Sequence, residues 1–132
     1  MTVLEELQPK LASLLHRRGY RLIDERRDES FGNAVVVVEC EAFLLRVVRD
    51  RGDTVIELSQ IKGASWHSAE NILEFIAGNS TADLADRLEA NFQQVADLLA
   101  SDLNQRGYTA FEKKKAEAML RRLFPKSPSG PR

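Results

Sequence analysis

A chain of 132 residues, 43% hydrophobic and 30% charged, is long enough to close a core of its own, which excludes wholesale disorder. One cysteine excludes an internal disulfide framework, and no apolar run approaches the roughly 20 residues a membrane span needs. A net charge of −1 with a pI near 6.1 argues against a dedicated nucleic-acid reader.

Thr2 and Glu5 have capping-box spacing and open a first helix. Leu4, Leu7, Leu11, Leu14, Leu15 and Arg18 recur at three- and four-residue steps, so one face is buried. Pro9 falls inside that pattern and either kinks the helix or marks its start near Gln8, because it has no N–H for the carbonyl of Glu5. Gly19 closes the helix. The first residues carry acids among leucines and lack a basic-then-apolar order, so no secretory signal is expected and the chain reads as cytoplasmic.

Tyr20 to Glu25 follows as a weak strand, and the polar run Arg26 to Ser30 leads into a meander. Its strands are Ala34 to Val38, Phe43 to Val48 and Thr54 to Leu58. The first is apolar throughout, as expected of a strand covered on both faces or central in a sheet. Cys40 continues it as a small core residue rather than a nucleophile. The Arg51-Gly52-Asp53 tripeptide, which spells an adhesion motif, reads as the turn chemistry of a hairpin.

No strand is expected after Ser59. Gln60 to Ser65 reads as a loop, and Ser68 caps a short helix closed by Gly78. Ser80 or Thr81 then caps a long helix, about 81–106, with the stripe Leu84, Leu88, Phe92, Val95, Leu99 and Leu103. That length suggests a helix laid across the sheet, or the seam of a homodimer. Thr109 and Glu112 make a second capping box, opening a last helix with Phe111, Met119, Leu120, Leu123 and Phe124 on one face. The fold class is therefore α+β: an N-terminal helix, a three- to four-stranded antiparallel meander, then three helices. A single domain spans 1–124, and the proline-containing tail 125–132 is expected to be disordered.

One internal similarity stands out. LASLLHRRGY, ending at Tyr20, matches LASDLNQRGY, ending at Tyr108, at seven of ten positions. The pattern is that of a shared helix ending, with a glycine cap and an apolar residue packing back.

Candidate contact residues fall in two places. Arg49, Asp50 and Arg51, with Arg46 and Asp53 nearby, make a charged hairpin tip, and Trp66-His67 offers an aromatic beside the next helix. A separate basic patch comprises Lys113, Lys114, Lys115, Arg121 and Arg122, which belong to a terminal stretch (108–132) with seven basic and two acidic side chains. It could lie against acids of the long helix, in this chain or a second copy. With two histidines, one cysteine and no glycine-rich phosphate loop, neither a metal, nor a cofactor, nor a catalytic constellation is expected.

The run FGNAVVVVE, then LLRVVRDRGDTVIEL and Trp66, resembles a set of small uncharacterised bacterial α+β proteins, over about residues 31–75. In these a charged hairpin precedes a tryptophan and a short helix. Some are similar to immunity proteins that neutralise the toxins of competing bacteria. The resemblance implies a bacterial interaction protein that masks a partner, and it carries over no catalytic residue. The expected function is thus a non-enzymatic protein-interaction domain. A homodimeric structural or regulatory module, or nucleic-acid binding through the basic helix, stands as the alternative.

Overall fold

The computed structural model describes residues 2–28, 32–63 and 65–124; the expected tail, 125–132, lies outside them. Helices α1 (Val3–Leu7) and α2 (Pro9–Arg18) lead into strands β1 (Arg21–Asp28), β2 (Asn33–Cys40), β3 (Phe43–Asp50) and β4 (Asp53–Gln60). A two-residue β5 (His67–Ser68) precedes α3 (Ala69–Ala77), α4 (Leu84–Ala90), α5 (Phe92–Leu99) and α6 (Tyr108–Leu123). The α+β class holds, with strands in sequence order and every pair antiparallel.

Pro9 starts a helix. Thr2 and Glu5 form the reciprocal capping box, but α1 ends at Gln8 and Pro9 occupies the first turn of α2, where its missing N–H costs nothing. The break does not rotate the leucine face out of the core: Leu4, Leu11, Leu14 and Leu15 are all buried.

β2 lies between β1 and β3 and alternates strictly. Ala34, Val36, Val38 and Cys40 are buried, with Phe43, Leu45 and Val47 of β3 and Leu58 of β4 on the same side. They join one apolar cluster with Ile72 and Leu73 of α3, Leu88 of α4, and Phe92, Val95 and Leu99 of α5. The opposite face, carrying Val35, Val37, Leu44 and Val48, is half-exposed. β2 is therefore central but covered on one face.

The expected long helix, about 81–106, is not continuous. Its cap is Asp83, not Ser80 or Thr81, and it breaks at Asn91, whose side-chain amide donates to the carbonyl of Arg87 (2.9 Å). α5 ends where the Ser101 hydroxyl donates to the carbonyl of Leu98 and the Asp102 carboxylate accepts from the amides of Asn104 and Gln105. Among the described residues four helices follow the sheet, not three. The stripe proposed as a homodimer seam faces the chain's own core: Leu88, Phe92, Val95 and Leu99 are buried and Leu103 nearly so. The two LAS…RGY segments do not share a helix ending: Gly19 closes α2 with φ 86° and ψ 134°, whereas α5 has already ended at Leu99 and Gly107, with φ 85° and ψ 1°, stands before α6, so a positive φ is what they have in common.

Burial pushes the Cys40 thiol up to about 12, helped by the carboxylates of Glu41 and Glu39. The folded chain then holds this proton where the unfolded chain, with a thiol near 9, releases it. Stability owed to the neutral thiol is complete below about pH 9 and is lost as pH rises toward 12, by about 1.4 kcal/mol per unit. Urea midpoints between pH 8 and 11 should fall more steeply for the native chain than for Cys40→Ala. Parallel curves would contradict this burial.

Candidate interaction surface

The open face of the sheet is assembled by cross-strand register. Val35, Val48 and Val55 form one row, and Val37, Arg46 and Glu57 the next. Arg46 donates twice to one oxygen of Glu57, from Nε at 3.0 Å and Nη2 at 2.7 Å. The Trp66 ring lies over that guanidinium, 4.3 Å from its centroid. Tryptophan thus stacks on the sheet's outer face. A planar cation between a carboxylate and a ring is held by hydrogen bonds and cation–π attraction together. Because the pair is only partly exposed, the stack forms an ordered polar centre within an apolar patch.

The hairpin tip does not join Trp66 in one patch. Arg49 pairs with Ala34 and Thr54, on the helix-covered side, and lines a cavity of about 260 Å³ with Glu6, Leu7 and Arg27. Hydrogen bonding to Arg27, with the nearby charge of Arg49, holds the Glu6 carboxyl below its ordinary value. Asp50 and Arg51 remain exposed at the tip, about 13 Å along β3 from Arg46 at strand rise. Arg51 takes a positive φ of 53° beside Gly52 at 89°, and its amide donates to the Asn33 side chain (3.0 Å).

His67 turns inward. Its Nδ1 lies 2.7 Å from Glu112 Oε2, and the Tyr108 hydroxyl donates to the same oxygen at 3.3 Å. Tyr108 is fully buried, packed edge-on against His67 and Phe75, and burial with the Glu112 charge raises its hydroxyl well above the ordinary range. A histidine on a carboxylate is half of a proton-transfer device. Here, among the described residues, no hydroxyl or thiol nucleophile is hydrogen-bonded to the ring, and the group ties α6 to β5. Glu112 is thereby drawn away from the capping box expected with Thr109: Gly107 precedes the helix and, among the described residues, no side chain caps it.

The basic patch divides along α6. Lys115 reaches Glu74 on α3 (2.9 Å), not the acids of α4 and α5, two of which pair with Lys10 and Arg17 of α2. Lys113, Lys114, Arg121 and Arg122 are exposed, without an ion pair among the described residues. Beyond Ala118 every residue of the helix is exposed. Met119, Leu120, Leu123 and Phe124, at 58%, 56%, 63% and 73% exposure, account for half of the large apolar side chains left in water among the described residues. The spacing of the last helix indicates an apolar face; only the tertiary structure reveals that its second half has no cover among the described residues.

Among the described residues no three His, Cys, Asp or Glu side chains are grouped to hold a metal ion, and no helix is long and apolar enough to cross a membrane. No protein-family model, curated protein or solved structure matches this chain.

Proposed function

We propose that the chain is a non-enzymatic protein-interaction domain that works by covering part of a partner's surface. The observation carrying this reading is the uncovered stripe Met119, Leu120, Leu123 and Phe124 at the end of α6. Met119, Leu120 and Leu123 follow the i, i+1, i+4 pattern of one helix face, flanked by Arg121 and Arg122, and Phe124 continues the stripe as the residue that ends the helix. Contiguous apolar patches of this kind mark contact sites, and each large side chain buried on binding contributes about 1.5–3 kcal/mol. The half-exposed sheet face around Trp66 supplies a second apolar area with an arginine at its centre. A narrower form of the reading is an immunity-like bacterial protein acting in the cytoplasm, its partner being a toxin domain whose working surface it masks.

The test is purification of the tagged chain from its own host, beside a Leu123→Ser/Phe124→Ser variant. The native chain should bring down one stoichiometric partner, and the variant should retain at most about a tenth of it, with unchanged thermal stability because both positions are exposed. Equal recovery by both would sink the reading.

The same stripe favours one second reading: a homodimer through α6, in place of the seam about 81–106. Sedimentation at micromolar concentration separates the two. A doubled mass abolished by the same substitutions assigns the stripe to a second copy.

A further inference from the structure

The two edges of the sheet are built differently. β1 carries charge at six of its eight positions and a register irregularity between Leu22 and Asp24, both devices that keep an edge from pairing. β4 is covered by β5 only at Glu57 and Leu58. Among the described residues, Asp53–Ile56 has no neighbouring strand on that side. This half carries Thr54, Val55 and Ile56, with no lysine, proline or bulge to guard it.

Turn geometry fixes which groups are free. Positive φ at both Arg51 and Gly52 makes a two-residue type I′ hairpin, so Asp50 and Asp53 exchange backbone hydrogen bonds, as do Val48 and Val55. Thr54 and Ile56 therefore direct N–H and C=O away from β3. Leu58, next in that series, uses the same side to meet His67. β5 would run on past Ile56 and Thr54, but Ser68 caps α3 and the chain turns away. Where it leaves, a cavity of about 540 Å³ opens, lined by Thr54, Ile56, Ser68, Glu70, Asp83 and Leu84 among others.

We propose that this open half of β4 accepts an extended segment of a partner protein as an added strand, with basic residues flanking a β-branched centre. The inference rests on the interaction-domain reading and names a surface and a partner class for it. Main-chain groups at Thr54 and Ile56 require an extended peptide, because only another strand matches their spacing. The rim selects its charge. Four carboxylates, Asp50, Asp53, Glu70 and Asp83, stand around this edge against three cations: Arg51 exposed at the tip, Arg87 on Glu70 (2.8 Å) and Lys10 on Asp83 (3.2 Å), which leaves the rim acidic by one charge. A second copy docked edge to edge would bring two such acidic rims together, which disfavours self-pairing.

The test uses the full ¹⁵N-labelled chain and the peptide acetyl-Lys-Thr-Val-Thr-Val-Lys-amide. Saturable shifts and slowed exchange at the Thr54 and Ile56 amides are expected. Alternate N-methylation of the peptide, or glutamate in place of its lysines, should each weaken binding about tenfold. Thr54→Pro removes an outward donor without touching the β3 ladder and should do the same; the N-methylated peptide keeps the test independent of that variant's folding. Glu70→Lys/Asp83→Lys should reverse the charge preference. Shifts confined to Val35, Val37 and Val48, or to Met119–Phe124, would refute the edge while leaving the interaction reading intact. Absence of saturable binding at millimolar peptide, or a peptide-free dimer through Thr54–Ile56, would also overturn it; the interaction reading itself fails only with the α6 variant above.

Discussion

Replacement of Phe43 by alanine is expected to remove about 3–5 kcal/mol of stability, among the largest losses any single site can produce. The side chain begins β3 with no exposed surface, and its ring stands 5.3 Å from that of Phe92 in α5. The Arg18 guanidinium, at the end of α2, lies 4.0 Å from the Phe92 centroid. Sheet, N-terminal helices and C-terminal helices thus meet at one pair of rings, and the surrounding backbone belongs to elements that cannot collapse into the void. Domains are stable by only about 5–15 kcal/mol, so the variant should unfold on the order of 10–15 °C lower. Phe43→Leu should recover most of the loss. In a double-mutant cycle with Phe92→Ala, a coupling of about 0.5–1.5 kcal/mol is expected from the ring pair. A loss under 1 kcal/mol for Phe43→Ala would mean that the helices do not sit on the sheet as described.

The parts of this fold that were legible in sequence are those fixed by neighbours a few positions away. The presence and order of β2 through β4, the hairpin at Arg51-Gly52, the capping box at Thr2 and the cap at Ser68 each depend on local composition or one nearby hydrogen bond, whereas the one-sided burial of β2, apolar at every position from Ala34 to Val38, does not show in its sequence. The break at Asn91 was hidden for a physical reason. α4 and α5 pack on the same core, so Leu88, Phe92 and Val95 keep helical phase across it, while the interruption depends on one side-chain amide choosing a backbone carbonyl. β5 is too short to show a period. Glu112 had the spacing of a cap but found a partner 45 positions away in His67, which no local rule anticipates.

The candidate surface divides in the same way. Trp66 and the basic residues of α6 could be singled out by type, yet their surroundings come from tertiary structure. Arg49 and Trp66, near each other in the hairpin region of the sequence, lie on opposite faces because side chains alternate across a strand. The Met119–Phe124 stripe reads as a helix face like any other until the fold leaves it without a neighbour. The open edge at Thr54 and Ile56 is a property of β5 stopping, so it has no signature within β4 itself.

Tyr108→Ala should be comparably severe, about 3–5 kcal/mol, for a different reason: it cuts the root of α6. This ring is fully buried among His67, Phe75 and Phe111, with centroids 5.4–6.1 Å away. Its loss leaves a void and takes one of two partners from Glu112, while Lys115–Glu74 and the Phe75–Phe111 contact are too few to fix the helix alone. Tyr108→Phe keeps the ring and His67 keeps the carboxylate, so that variant should lose only about 1 kcal/mol. Amide exchange locates the damage. In Tyr108→Ala, the amides of α6 should lose protection before those of β2 and β3, because the sheet's core residues pack without it. If all amides open together, α6 is part of the same cooperative unit and the separate root is wrong. The functional consequence follows from geometry: Met119, Leu120, Leu123 and Phe124 are exposed, so nothing among the described residues covers them to hold the helix end if its base frays. Partner recovery should therefore fall with Tyr108→Ala and persist with Tyr108→Phe, even though residue 108 is sealed inside the chain and cannot touch the partner.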